Sequence, residues 1–220
     1  MNHISTDKTL GVRTPQNTKI VAICTPVLVS TNTNPLSLKC SVDVKRNWPL
    51  GHGRFRIAGN YGPILPTITD AKDNGFDDVL WLLDDYVKEM TDLNVFAIQQ
   101  SRYGHLEMLT PPEDGCIHNG IMRKSVLELA GEIKKKFNIE VVERQFSIQE
   151  LINSNKEGRL LEMFGTSIST TVRTVSRICY KDTTMILNQQ TGGKFSKAIY
   201  EMIFSIMSGD PNHPWVTKFE

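Results

Sequence analysis

One mixed α/β domain behind a short polar arm is the architecture this chain predicts, and three observations predict it. Apolar runs of strand length alternate with segments of helical period along most of the sequence. Hydrophobic residues make up 40% of the 220 and charged residues 22%, enough apolar surface for a sizeable core and too much for global disorder. No internal repeat, low-complexity tract or linker-like stretch divides the chain, so residues 18–220 are expected to form a single domain.

Residues 1–17 are polar and lack the apolar centre of a secretory signal; with only Lys8 and Arg13 as strong bases they do not resemble an amphipathic presequence. A polar arm of this kind stays ordered only when something holds it, which points to a partner. Ile20–Cys24 reads as a buried strand ended by Pro26, and the Thr- and Asn-rich Ser30–Pro35 as loop. Arg54–Ala58 reads as a short strand, and Tyr61-Gly62-Pro63 opens a helix that stops at Asn74-Gly75. Asp78–Leu83 reads as a buried strand, and Val95–Gln99 with Leu106–Leu109 as a hairpin around Arg102-Tyr103-Gly104. Met122, Val126, Leu129, Ile133 and Phe137 recur every three to four residues and predict one helix over Met122–Phe137. Lys134, Lys135 and Lys136 crowd its last turn, where cations oppose the negative end of the helix dipole. Ile139–Phe146 reads as strand, Ile148–Ser154 as helix and Leu160–Phe164 as strand; Val172–Tyr180 and Met185–Leu187 read as further strands, and Lys194–Met207 as the closing helix.

Charge and composition exclude several function classes. The 25 basic and 24 acidic residues give a net charge of +1, which argues for no bulk attraction to nucleic acid or membrane. No apolar run approaches the ~18 residues that span a bilayer. Cys24, Cys40, Cys116 and Cys179 are irregularly spaced, with no Cys-x-x-Cys pair, and read as free thiols in a reducing compartment. His3, His52, His105, His118 and His213 show no metal-ligand spacing, so no metal site is expected.

The segment Arg54-Phe55-Arg56-Ile57-Ala58-Gly59-Asn60-Tyr61-Gly62 closely resembles the cofactor-anchoring segment of the branched-chain amino-acid aminotransferases. The resemblance continues in order through Gly75-Phe76-Asp77-Asp78-Val79-Leu80-Trp81-Leu82 and Glu89-Met90-Thr91-Asp92-Leu93-Asn94-Val95-Phe96. It extends through Leu109–Gly115, Arg123–Ala130, Val141–Arg144, Glu162–Thr166 and Val175–Lys181. Joint order and spacing make it specific, over roughly residues 19–207. It implies the large C-terminal domain of a fold type IV pyridoxal-phosphate enzyme: an α/β fold whose mixed sheet closes into a pseudo-barrel with helices around it. No counterpart of the family's small N-terminal domain is seen.

What the resemblance implies about chemistry differs by residue. The family's Schiff-base lysine falls on Arg56, and a guanidinium stays protonated and is a very poor nucleophile. Glu89 falls on the carboxylate that pairs with the pyridine nitrogen, and Tyr61 on a tyrosine beside the Schiff base; both are retained, although a surface carboxylate and a helix-capping ring would explain them equally well. One phosphate-binding turn, normally Leu-Pro-Gly and an apolar residue, reads His118-Asn119-Gly120-Ile121. In the other, Thr166 is followed by Ser167-Ile168 where Gly-Thr is expected. Thr91-Asp92 replaces Gly-Thr beside Glu89 and adds a carboxylate. Tyr61, Glu89, Gly120, Ile121, Thr166, Ser167 and Ile168 are thus expected as vestigial cofactor contacts, with no catalytic residue. Lys45 and Lys72 are not expected to replace the missing amine.

The expectation is therefore a catalytically degenerate protein without pyridoxal phosphate, kept as a structural or scaffolding subunit of a larger, mitochondrial complex; a cytoplasmic location is the alternative. Its partners would be other protein chains, including a second copy or an aminotransferase-like chain, and not nucleic acid. Two further classes stay open: an active branched-chain aminotransferase with pyridoxal phosphate, and a binding module using Arg56 and Tyr61 on an anionic ligand.

Overall fold

The computed structural model describes residues 2–9, 11–24, 34–187 and 193–217. By contact density the chain divides into two compact units, Met1–Asn32 and Thr33–Glu220. In the first, β1 (Asn2–Ser5) pairs antiparallel with β2 (Thr18–Val21). The loop between them closes on Asp7, whose carboxylate accepts hydrogen bonds from the amides of Gln16 (3.0 Å) and Asn17 (2.9 Å). Those amides hold the Asp7 carboxyl below its ordinary range. The buried strand expected at Ile20–Cys24 is corrected: pairing starts at Thr18, ends at Val21, and leaves Ile20 and Ile23 exposed, because a two-stranded ribbon covers little of its own side chains. Pro26 and most of the Ser30–Pro35 loop lie outside the described residues.

The second unit is built on a nine-stranded mixed sheet. Its strands are β3 (Leu36–Ser41), β4 (Asp78–Leu83), β5 (Tyr86–Met90), β6 (Asn94–Gln100), β7 (Leu106–Thr110), β8 (Ile139–Glu143), β9 (Leu160–Ser167), β10 (Thr171–Tyr180) and β11 (Thr183–Ile186). The order β11-β10-β3-β4-β5-β6-β7-β8, with β9 joined to both β6 and β10, closes a ring through β10, β3, β4, β5, β6 and β9. Pairing is parallel for β3 with β10 and with β4, and antiparallel around the rest of the ring. This is the expected mixed-sheet pseudo-barrel. Around it lie α1 (Leu65–Asp73), α2 (Ile121–Glu128), α3 (Ala130–Phe137), α4 (Ile148–Lys156) and α5 (Lys194–Met207).

Both faces of the central strands are buried, which explains their near-continuous apolar runs. Along β6, Val95 and Ala97 join Leu80, Met90 and Met163 in one cluster, while Phe96 and Ile98 join Phe164 and the helical residues Val126, Ile133, Ile199 and Ile203 in another. Phe96 and Phe164, paired in register, stack with centroids 5.1 Å apart. Val79 and Trp81 of β4 pack under α1 with Ile64 and Ala71.

Three expectations about elements are corrected, and two strands are new. Arg54–Ala58 is irregular rather than a strand, running into 3-10 turns at Ala58–Asn60 and Gly62–Ile64. The helix predicted over Met122–Phe137 breaks at Leu129 into α2 and α3, although the apolar stripe lies inward as expected. The strand after it ends at Glu143 instead of Phe146, where the chain turns to the cap at Ser147, whose hydroxyl accepts from the Glu150 amide. Strands β3 and β5 form where no strand is expected from sequence.

Candidate functional site

The ends of β5, β6 and β9 meet two loops, residues 45–61 and 116–120, and the residues singled out from sequence gather there. Glu89 (β5) opposes Asn94 (β6), which opposes Thr166 (β9). Glu89 is buried. Its Oε1 accepts from the Arg46 guanidinium and from Asn47 Nδ2 (2.8 Å), and its Oε2 accepts from the His118 amide (2.9 Å). Burial dominates and pushes the Glu89 carboxyl up to about 7, against the pull of Arg46, the His118 amide and Asn47 toward the ionised form. Arg46 is itself buried, stands 5.7 Å from the Tyr61 ring centroid, and leaves Nε without a partner, as Asn47 leaves Oδ1.

Arg56 spans the mouth of this cluster. Its Nη1 donates to Asp92 Oδ1 (2.9 Å) and Tyr61 Oη (3.4 Å), its Nη2 to the Asp92 carbonyl (3.0 Å), and its Nε to His118 Nε2 (3.2 Å). The Tyr61 hydroxyl donates to the same Asp92 carboxylate at 3.2 Å. Because His118 Nε2 accepts, the ring proton sits on Nδ1 and points to the Arg54 carbonyl 3.1 Å away. Burial, then the charge of Arg56, lowers the His118 pKa and keeps the ring neutral.

The two phosphate-type turns lie alongside. Asn94 Nδ2 donates to the His118 carbonyl (2.8 Å), and a Cβ built on Gly120 would fall 2.0 Å from Asn94 Oδ1, so this position requires glycine for close approach. Ile121 begins α2 and is exposed. Thr166 Oγ1 is buried without a partner, Ser167 Oγ shares hydrogen bonds with Ser169 and Thr170 (3.0 Å each), and Ile168 is 74% exposed. Lys45 Nζ donates to the Val42 carbonyl (2.7 Å), and Lys72 lies in the last turn of α1; neither reaches the Arg56 network. Among the described residues no cluster of His, Cys, Asp or Glu could hold a metal ion.

Of the residues singled out from sequence, Arg56 and Tyr61 meet at Asp92, Glu89 joins them through His118, and Gly120 and Thr166 lie against Asn94, while Ile121, Ser167 and Ile168 follow in the two turns. Sequence reasoning missed Arg46 and Asn47. Their bonds to Glu89 span more than forty residues of sequence, and Arg46-Asn47-Trp48 carries no periodic or motif signal. Asp92 was legible only as an added carboxylate; its pairing with Arg56 belongs to the fold.

A closed mixed-sheet ring with this site at the strand ends defines a class, and the family comparison agrees: the chain belongs to the class IV amino-transferases, whose family model matches residues 26–178. Within that class it is similar to the branched-chain-amino-acid aminotransferases. The mitochondrial enzyme of Schizosaccharomyces pombe is 34% identical over 96% of this chain and 52% of its own length. The cytosolic enzyme of Ovis aries is 34% identical over 96% of this chain and 56% of its own. The chain thus spans about half the length of these curated relatives. The crystal structure of the branched-chain aminotransferase from the thermophilic archaeon Thermoproteus uzoniensis superposes with a TM-score of 0.65 at 21% identity, covering 84% of this chain and 56% of that one. The Escherichia coli enzyme gives 0.64 at 21% identity, over 82% and 55%.

Proposed function

We propose that this chain is a catalytically degenerate branched-chain-aminotransferase-like protein that serves as a structural or scaffolding subunit of a larger assembly. One observation carries the reading: position 56, where the family's resemblance puts an amine nucleophile, holds a guanidinium engaged by Asp92, Tyr61 and His118. That group neither deprotonates near neutral pH nor attacks an aldehyde. At the ring end pyridoxal phosphate would find a reduced partner, since Glu89 Oε1 already accepts from Arg46 and Asn47 and Oε2 from the His118 amide, which leaves one acceptor site on Oε2. At the phosphate end the fit is mixed: the orphaned Thr166 hydroxyl would welcome an anion, whereas Ile168 brings an exposed apolar side chain to the same turn. The role needs no cofactor and places partner chains on the surface around the site, where Trp48, Phe55, Ile57, Ile121 and Ile168 are exposed. Its location is taken as the mitochondrion, with the cytosol as the alternative; relatives are named for both.

The second reading is an active aminotransferase that transfers amino groups from branched-chain amino acids with pyridoxal phosphate, favoured by the retained Glu89 and Tyr61 and by the relatives' names. Incubation with pyridoxal phosphate, borohydride reduction and intact-mass mapping separate the two. Degeneracy predicts no adduct, or scattered labelling of surface lysines. A single stoichiometric adduct, with an aldimine absorbance before reduction, would sink the degenerate reading and identify the lysine.

A further inference from the structure

Next in sequence to Arg56 and His118, a groove of about 320 Å3 is lined by Arg54, Phe55, Glu113, Asn119, Ile121 and Lys124. Its walls are fixed. Asn60 Nδ2 donates to the carbonyls of His52 (2.9 Å) and Phe55 (2.8 Å), His118 Nδ1 holds the Arg54 carbonyl, and Lys88 pairs with Asp114 at 2.7 Å in the loop bearing Glu113.

Its chemistry is unspent. Among the described residues Arg54 and Lys124 form no ion pair, and the Arg54 guanidinium rests on the Phe55 ring with 4.6 Å to the centroid. Phe55 and Ile121 stay 45% and 57% exposed beside them. Neither feature contributes much to this fold: among the described residues Lys124 has no ion pair, Arg54 has its contact with the neighbouring Phe55 ring, and the exposed parts of the apolar side chains gain nothing in water. Two cations interleaved with two apolar side chains, against the one carboxylate of Glu113, make a complement for negative charge alternating with apolar bulk.

We propose that this groove docks an extended segment of a partner protein in which acidic residues flank a leucine-, isoleucine- or phenylalanine-like side chain. The partner's carboxylates meet Arg54 and Lys124, its apolar residue lies between Phe55 and Ile121, and Asn119 and Glu113 take polar groups of its backbone or flanks. The inference rests on the reading of this chain as a subunit of an assembly and names the chemistry of its partner. Concavity and the Glu113 carboxylate favour a peptide over an anionic membrane, which is flat and would be repelled at Glu113.

The test is selection of a random displayed-peptide library on the full chain and on the Arg54→Glu/Lys124→Glu variant, followed by fluorescence anisotropy of the enriched peptides. Expected are peptides with Asp or Glu beside a large apolar residue. Binding should fall about tenfold in the charge-reversed variant, weaken as salt is raised, and drop again in Phe55→Ser, while the melting temperatures of the variants stay within a few degrees of the parent. Enrichment of neutral or basic peptides, equal binding to the variant, or no enrichment overturns the proposal; so does binding of phosphatidylserine vesicles in place of peptides. The outcomes separate cleanly from those of the borohydride experiment. A stoichiometric adduct removes the degenerate reading whatever the groove binds, and loss of peptide discrimination without an adduct removes the groove alone.

Discussion

Arg46 and Arg56 each meet a carboxylate, in opposite surroundings, and their substitutions should differ accordingly. The Arg56–Asp92 side chains are 43% and 59% exposed, so water screens them, and Arg56→Ala should cost under about 1 kcal/mol. Arg46 and Glu89 are both 2% exposed, and Arg46→Ala strands a buried carboxylate at roughly 3–5 kcal/mol. Urea denaturation of both variants checks the contrast; equal losses would contradict it. Glu89 also gives a pH prediction. Its carboxyl is raised to about 7 in the fold from an ordinary 4.5, so between those values the folded state holds a proton that the unfolded state has lost. Stability from this group is therefore complete below pH ~4.5 and falls as pH rises through about 7. His118 works in the opposite direction, because its lowered pKa makes stability rise with pH just below its ordinary value of 6.5. Melting curves from pH 5 to 8 should show Glu89→Gln losing the falling component and exposing the rising one; a pH profile identical to the parent's would refute the assignment. None of this was readable from residue type. Glu89 was legible as a position, whereas its burial and its arginine come from a loop more than forty residues away.

At the scale of elements, α5 is predicted from sequence to the residue, as β4 is, and its anchorage is what sequence did not show. Glu162 on β9 is fully buried and accepts from the amides of Phe195 (3.0 Å) and Ser196 (2.9 Å) and from the Ser196 hydroxyl (2.8 Å), closing the first turn of α5. Glu162→Ala should cost roughly 2–3 kcal/mol in chemical denaturation. A loss under 0.5 kcal/mol would mean that α5 is held by its apolar face alone. Gly120→Ala puts a methyl into Asn94 and should cost about 1–3 kcal/mol although its φ of −78° is ordinary, a case of crowding rather than strain. Strands with apolar runs, such as β4, β6 and β9, were legible because both faces are covered. Strand β5 was not: Lys88 and Glu89 are buried through ion pairs, and no hydropathy pattern reports a pair. The split of the long helix at Leu129 is likewise invisible, since one apolar stripe runs through both halves.

For the whole molecule, the open question is what meets the apolar surface around the site. Trp48, Leu50, Phe55, Ile57, Leu65, Ile121 and Ile168 are all exposed. The purified chain should bind an apolar fluorescent dye, and Ile57→Ser with Ile168→Ser should reduce that signal without lowering the melting temperature. A chain that binds no dye and sediments as a monomer at all concentrations would argue against docking on this face. The ordered run of motifs from residue 19 to 207 determined the family, the mixed-sheet ring and the place of the site by itself, because spacing along the chain is preserved wherever strands must meet in register. The tertiary structure alone decided what the site does with its residues. Closing the ring brings Arg46, Asn47 and the 118 loop onto Glu89 and sets Asp92 against Arg56, and such contacts depend on distance in space, of which a linear sequence holds no record.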